Sequence, residues 1–222
     1  MRATLFDMDG LLIDSEVLWH RAEVEIFGSF GVPISEEEDR TTKGMFVAEV
    51  VSYWYQRYPW TGVSAESIVE RLLNRVGELV ESDGRLLPGA VRAIDLAAQR
   101  GPVALASSTP RTLIERCLSH FDLLDRFASL HSAESEPFGK PHPGVFLSAA
   151  ASLEVSPTDC LVFEDSSAGV LAAKAGRMAV VAVPVPVDRA LPAFALADLV
   201  LDSLSDLSER WMNRAFGLSA AT

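Results

Sequence analysis

Cysteine is scarce in this chain. Cys117 and Cys160 are the two present among 222 residues, far apart and each without a second cysteine nearby, which argues against a metal knuckle or a redox pair. Both read as small apolar fillers. Positive charge is also short, with 19 Lys and Arg against 31 Asp and Glu and a formal charge of -12. Neither nucleic acid nor an anionic membrane has a basic footprint to sit on, so an anionic substrate needs positive potential supplied locally. No apolar run is long enough to cross a bilayer, and the first strand begins almost at once after Met1, leaving no room for a signal peptide. A cytoplasmic protein is expected, and a monomer. Internal repeats and low-complexity tracts are missing too. With 49% hydrophobic and 23% charged residues the chain is globular, either one large domain or a domain with an insertion.

The most informative stretch is Leu5-Phe6-Asp7-Met8-Asp9-Gly10. An apolar run that ends in two carboxylates is costly to bury unless a cation or a reaction needs them. The period of two along extended backbone turns Asp7 and Asp9 toward the same side, at a strand's carboxyl end, where open α/β sheets place ligands. Such a pair is half of a Mg²⁺ site, and it can divide labour between a nucleophile and a proton carrier.

After Gly10 the pattern turns helical. Helices are expected over 15–31, around Val47 to Tyr55, and over 64–80, with Ser64 as an N-cap. No convincing strand appears from Ser15 to about Gly84, so this segment reads as a helical insertion that returns through Asp83-Gly84-Arg85-Leu86-Leu87-Pro88-Gly89. Beyond it helix and strand alternate: helices over 90–100, 110–120, 145–153 and 168–175, strands over 103–106, 127–130, 160–163 and 179–183. The fold class is therefore α/β, a doubly wound, Rossmann-like parallel sheet built from right-handed crossovers. An edge strand over 199–201 and a closing helix over 204–216 complete it. The domains are a core of 1–14 and 85–222 and an inserted helical domain of 15–84.

Three further strand ends or loops carry chemistry. Ser107-Ser108-Thr109-Pro110 follows a strand and precedes a helix, a place that offers hydroxyls and backbone N–H groups to an anion; as plain structure the same run is a common N-cap. Gly139-Lys140-Pro141-His142-Pro143 fixes a lysine between residues that restrict the backbone. A fixed ammonium suits the charge of a phosphoryl group. Leu161-Val162-Phe163-Glu164-Asp165-Ser166 repeats the opening theme of an apolar strand that ends in acids. Asp165 reads as a metal ligand, and Glu164 as a ligand or as the holder of a metal-bound water.

Asp7-Met8-Asp9-Gly10-Leu11-Leu12-Ile13-Asp14-Ser15-Glu16 resembles the first motif of the haloacid dehalogenase-like hydrolases, in the branch that holds β-phosphoglucomutase and small sugar-phosphate phosphatases. Ser107, Lys140 and Asp165 match the later motifs in family order. The resemblance implies a phospho-enzyme on Asp7, Asp9 as acid and base, Lys140 as a further catalytic group, phosphate held by Ser107, Ser108 and Lys140, and Mg²⁺ among Asp7, Asp9, Asp165 and Glu164. It also implies that the insertion is a cap that closes over the site and reads the leaving group. Candidate cap and hinge contacts are Glu16, Trp19, His20, Lys43, Gly44 and Met45, with a small phosphorylated sugar or polyol as the partner. Trp54, Tyr55, Tyr58 and Trp60 read as packing inside the insertion.

Three segments, at 10–16, Trp54-Tyr55 and Pro59-Trp60-Thr61-Gly62, look most like bacterial phosphatases of hexitol phosphates and 2-deoxyglucose-6-phosphate. A mutase is the close alternative, but as the sequences align, β-phosphoglucomutase has a histidine at the place of Trp19 and a phosphate-gripping arginine at that of Val47. A signalling receiver also surrounds a phospho-accepting aspartate with acids, a hydroxyl and a lysine. Such a switch needs neither a helical insertion nor a second acid two residues on.

Overall fold

The computed structural model describes residues 1–34, 41–42 and 44–217. At its centre lies β1 (Ala3–Phe6), whose side chains are all buried. Strands covered on both faces favour unbroken apolar runs over alternation, and β2 (Val103–Ser107) and β4 (Cys160–Glu164) are buried throughout as well. With β3 (Ser129–Ser132), β5 (Ala179–Ala182) and β6 (Leu199–Val200), they form a six-stranded sheet ordered β3-β2-β1-β4-β5-β6. Every pairing is parallel. The register sets Phe6 beside Leu105 and Phe163, and the rings of Phe6 and Phe163 stack at 4.7 Å between centroids.

The two faces of this Rossmann-like sheet feed two apolar clusters. Phe6, Leu105, Phe163 and Val181 join one of them. Leu5, Ala104, Val162 and Val180 join the other, with Val145 and Phe146 of one helix and Val170 of the next. The strand order reverses at β1, between its partners β2 and β4, and that switch point opens a crevice at the strands' carboxyl ends.

Between β1 and the return to the sheet the described residues form α1 (Glu16–Gly28), α2 (Val47–Arg57) and α3 (Ala65–Asp83). Ser64 caps α3 by accepting from the Ser67 amide at 3.2 Å. Trp54 is fully buried among them, with Phe27 between it and Trp60. The outgoing and returning chains run side by side, joined by Asp14 N–H to Arg85 O at 2.9 Å and Leu87 N–H to Leu12 O at 2.8 Å.

The remaining helices are α4 (Ala90–Ala98), α5 (Arg111–His120), α6 (Gly144–Ser152), α7 (Ser167–Ala175) and α8 (Glu209–Ala215). The closing helix differs from expectation. Residues 204–206 form a separate 3-10 turn, and α8 starts only after Ser208, whose hydroxyl accepts from the Trp211 amide at 3.1 Å. A serine at that place satisfies a first-turn donor and so begins a new helix. Among the described residues no helix is long and apolar enough to cross a membrane.

Candidate active site

The crevice is floored by charges that the strand ends deliver. Asp7 continues from β1, its amide donating to Phe163 O at 3.1 Å. Glu164 ends β4, and Asp165 follows it. Lys140 comes from the loop before α6 and extends beneath them, with Asp7, Glu164, Asp165 and Lys140 all at 5% exposure or less. Its three ammonium protons meet three acceptors: Asp7 Oδ1 at 2.6 Å, Glu164 Oε1 at 2.5 Å and Ala106 O at 3.3 Å.

The other oxygen of Glu164 is also engaged. Oε2 accepts from the amides of Asp165 and Ser166, both at 2.9 Å, and from the Ser166 hydroxyl at 3.0 Å. That hydroxyl accepts in turn from the Gly169 amide at 3.0 Å and so caps α7. A Cβ on Gly169 would collide with the Glu164 carboxylate. The start of α7 is thus folded around this side chain.

Burial pushes the Asp7 carboxyl well above its ordinary pKa; Lys140 opposes the rise, and Glu164, Asp165 and Asp9 add to it. For Lys140 burial acts downward, but the charges and hydrogen bonds of Asp7 and Glu164 outweigh it and raise the ammonium. One oxygen each from Asp7, Glu164 and Asp165 lies within 4.8 Å of the others. Three carboxylates against one ammonium leave a formal charge of -3 + 1 = -2 when all are ionised, in a buried setting. An all-oxygen donor set with that excess fits a hard divalent cation such as Mg²⁺.

Asp9 stands outside this group of three. Its Oδ1 accepts from Ser15 Oγ at 2.7 Å and from Trp19 Nε1 at 3.0 Å, and its Oδ2 accepts from Thr109 Oγ1 at 2.6 Å. The backbone explains the separation, because β1 stops at Phe6 and the chain turns through Gly10 at φ +70°. Extended alternation no longer holds there.

Ser107 is buried at the end of β2, where its hydroxyl accepts from the Thr109 amide at 3.1 Å. Ser108 donates its hydroxyl to Gly44 O at 2.9 Å, joining the core to the segment before α2. Above these groups lies a cavity of about 700 Å³, its open mouth included, with Asp7, Asp9, Ser107, Ser108 and Asp165 on the core side. Of the cap candidates, Glu16, Trp19, Gly44 and Met45 line it, His20 does not, and Lys43 lies outside the described residues. The cavity also takes in Glu23, Thr42, Val47, Val50 and Thr109. Sequence reasoning named Val47 only as the counterpart of the mutase's arginine and Thr109 only within the Ser107–Pro110 run, and it missed Glu23, Thr42 and Val50. For Glu23 a signal existed, since Glu16, Trp19 and Glu23 fall at i, i+3 and i+7 of one helix and share a face.

Comparison with known proteins agrees with this architecture. Hexitol phosphatase B of Escherichia coli K12 is 46% identical over 210 residues, covering 94% of this chain and 95% of that protein. β-Phosphoglucomutase of Bacillus subtilis is 29% identical, covering 94% of this chain and 92% of its own. The crystal structure of CbbY from Rhodobacter sphaeroides in complex with phosphate superposes with a TM-score of 0.84 at 27% identity, over 94% of this chain and 96% of that one. The model of the family described as haloacid dehalogenase-like hydrolase matches residues 1–177. With a parallel sheet of this order and acids at the ends of its two central strands, the chain belongs to the haloacid dehalogenase-like hydrolases.

Proposed function

We propose that this hydrolase is a Mg²⁺-dependent phosphatase of small phosphate monoesters, sugar or sugar-alcohol phosphates, acting through an aspartyl-phosphate on Asp7. The observation that carries the reading is the buried Asp7–Lys140 contact at 2.6 Å, with Asp7 lining the cavity. It keeps an ammonium beside the attacking carboxylate, where the charge of the transferring group develops. The relationship to a hexitol phosphatase supports the substrate class.

In this reading one Asp7 oxygen is held by Lys140 and the other attacks phosphorus, forming the Asp7 O–P bond as the ester P–O bond breaks. Asp9 gives its proton to the departing alkoxide. Asp9 then takes a proton from water as that water attacks phosphorus, and the Asp7 O–P bond breaks to release inorganic phosphate. The Ser107 hydroxyl and the Ser108 amide hold the phosphoryl oxygens. Asp7 and Asp165 would hold Mg²⁺, which supplies charge neutralisation for substrate and carboxylates. Glu164 would serve by fixing Lys140 and the start of α7. Residues 15–84 act as a cap on a core of 1–14 and 85–222, with Trp19 and Ser15 keeping Asp9 oriented toward the leaving group.

The mutase alternative requires a grip on a second phosphate, and the cavity wall at Val47 and Val50 is apolar. The deciding assay compares phosphate release from a panel of hexose and hexitol phosphates with isomerisation of β-glucose-1-phosphate, with and without Mg²⁺. Phosphate release is expected to be faster, and to be lost in Asp7→Asn by about three orders of magnitude or more. Wild-type turnover in Asp7→Asn, or faster isomerisation, overturns the proposal.

A further inference from the structure

Glu23 is a carboxylate inside the cap. It is 5% exposed, on the second turn of α1, and it lines the same cavity as Asp7. Its neighbours on α1 show what an ordinary packing position holds here, since Ala22 and Phe27 are apolar and buried. Across the cavity, α2 contributes Val47 and Val50, one turn apart. A carboxylate at such a place forfeits much of its hydration, and one that faces a cavity can meet donors on a ligand as well as on the protein. The face it shares with Glu16 and Trp19 runs from the chain crossing, where Asp9 is held, into the cap. Seven residues of helix place Glu23 about 10 Å beyond Glu16 along the axis.

With the phosphoryl group at Asp7 and the leaving-group oxygen at Asp9, the remainder of an ester extends along that face toward Glu23. A carboxylate there accepts hydrogen bonds from hydroxyls and repels a second anion. On the phosphatase reading above, we infer that Glu23 is a specificity-determining residue: it accepts from the distal hydroxyls of a polyhydroxylated leaving group and excludes bisphosphates.

The test measures kcat/KM of the wild type and Glu23→Gln, in Mg²⁺, on glycerol phosphate, a hexitol monophosphate and a hexitol bisphosphate. The amide keeps the size of the side chain and removes its charge. The wild type should favour the hexitol monophosphate over both other esters. In Glu23→Gln the preference over glycerol phosphate should fall by roughly fivefold to tenfold, the difference between a charged and a neutral acceptor. The loss should appear mainly in KM, and discrimination against the bisphosphate should relax in parallel. All three rates come from one preparation, so a loss of folded protein cancels in the ratios. An active wild type whose two ratios survive in Glu23→Gln overturns the role of Glu23 and leaves the phosphatase reading intact. A wild type inert on every ester overturns the phosphatase reading itself.

Discussion

The ammonium of Lys140 and the carboxylate of Glu164 meet at 2.5 Å, both almost wholly shielded from water. Because Asp7 claims the same ammonium at 2.6 Å, one positive charge holds two carboxylates that would otherwise repel each other. Lys140→Met removes it and keeps the length of the side chain. It is expected to destabilise the metal-free protein by about 3 kcal/mol or more, since the buried carboxylates lose their counter-ion. For a chain of this size that lowers Tm by roughly 6 °C or more. Calorimetry at neutral pH checks it, and Mg²⁺ should restore part of the loss. A variant with the wild-type Tm would mean that the pair carries no net stability.

On the proposed reading, the raised Asp7 pKa should give Mg²⁺ binding a pH dependence. Between the ordinary value of 3.8 and its folded value, Asp7 holds its proton in the folded protein and not in the unfolded chain. Metal-free stability from this group therefore falls as pH rises through that window. The cation competes with the same proton, so uptake releases it and strengthens with pH. The rise in Tm on adding Mg²⁺ should therefore grow as pH is raised through that window. A constant rise over that range would show that the ion does not need the Asp7 carboxylate.

The sheet was legible because its central strands are buried on both faces and therefore read as unbroken apolar runs. Leu5-Phe6, residues 103–106 and residues 160–163 mark β1, β2 and β4. The acids and hydroxyls just beyond those runs were legible for the same reason, as polar groups where the burial pattern stops. Lys140 stood out through the glycine and prolines around it. Less could be read where backbone periodicity fails or where tertiary partners decide. Asp9 leaves the strand before alternation can direct it, and Thr109 passes for a helix-capping residue until its hydroxyl is seen 2.6 Å from Asp9. Glu23 looks like one more solvated charge on a helix, and only the packing of α1 against the cavity shows it to be buried. The split before α8 turns on a single Ser208 cap within a continuous apolar pattern.

Thr109 and Trp19 donate to different oxygens of Asp9, one from just after β2 and the other from α1. Thr109→Val deletes the donor to Oδ2 while keeping the branched shape. With that oxygen no longer oriented, kcat on a hexitol phosphate should fall by roughly tenfold with little change in KM. Trp19→Phe should act in the same direction, and the two losses should be non-additive because both donors position one carboxylate. Steady-state kinetics of the two single variants and the double variant decide it. Independent, multiplicative effects would indicate that Trp19 and Thr109 serve separate functions.

Gly10 links the first pair of acids to the last. Its φ of +70° is one that side chains rarely adopt, and a Cβ there would run into the Asp165 carboxylate. Gly10→Ala therefore imposes backbone strain of about 1 kcal/mol or more and displaces the Asp165 carboxylate from its present position. Mg²⁺ affinity, read by titration calorimetry, should drop by about tenfold or more, since displaced ligands lose the geometry that a small cation demands. Asp165→Ala should weaken Mg²⁺ binding without the backbone cost. If Gly10→Ala binds Mg²⁺ as tightly as the wild type, the ion is held elsewhere than between the ends of β1 and β4.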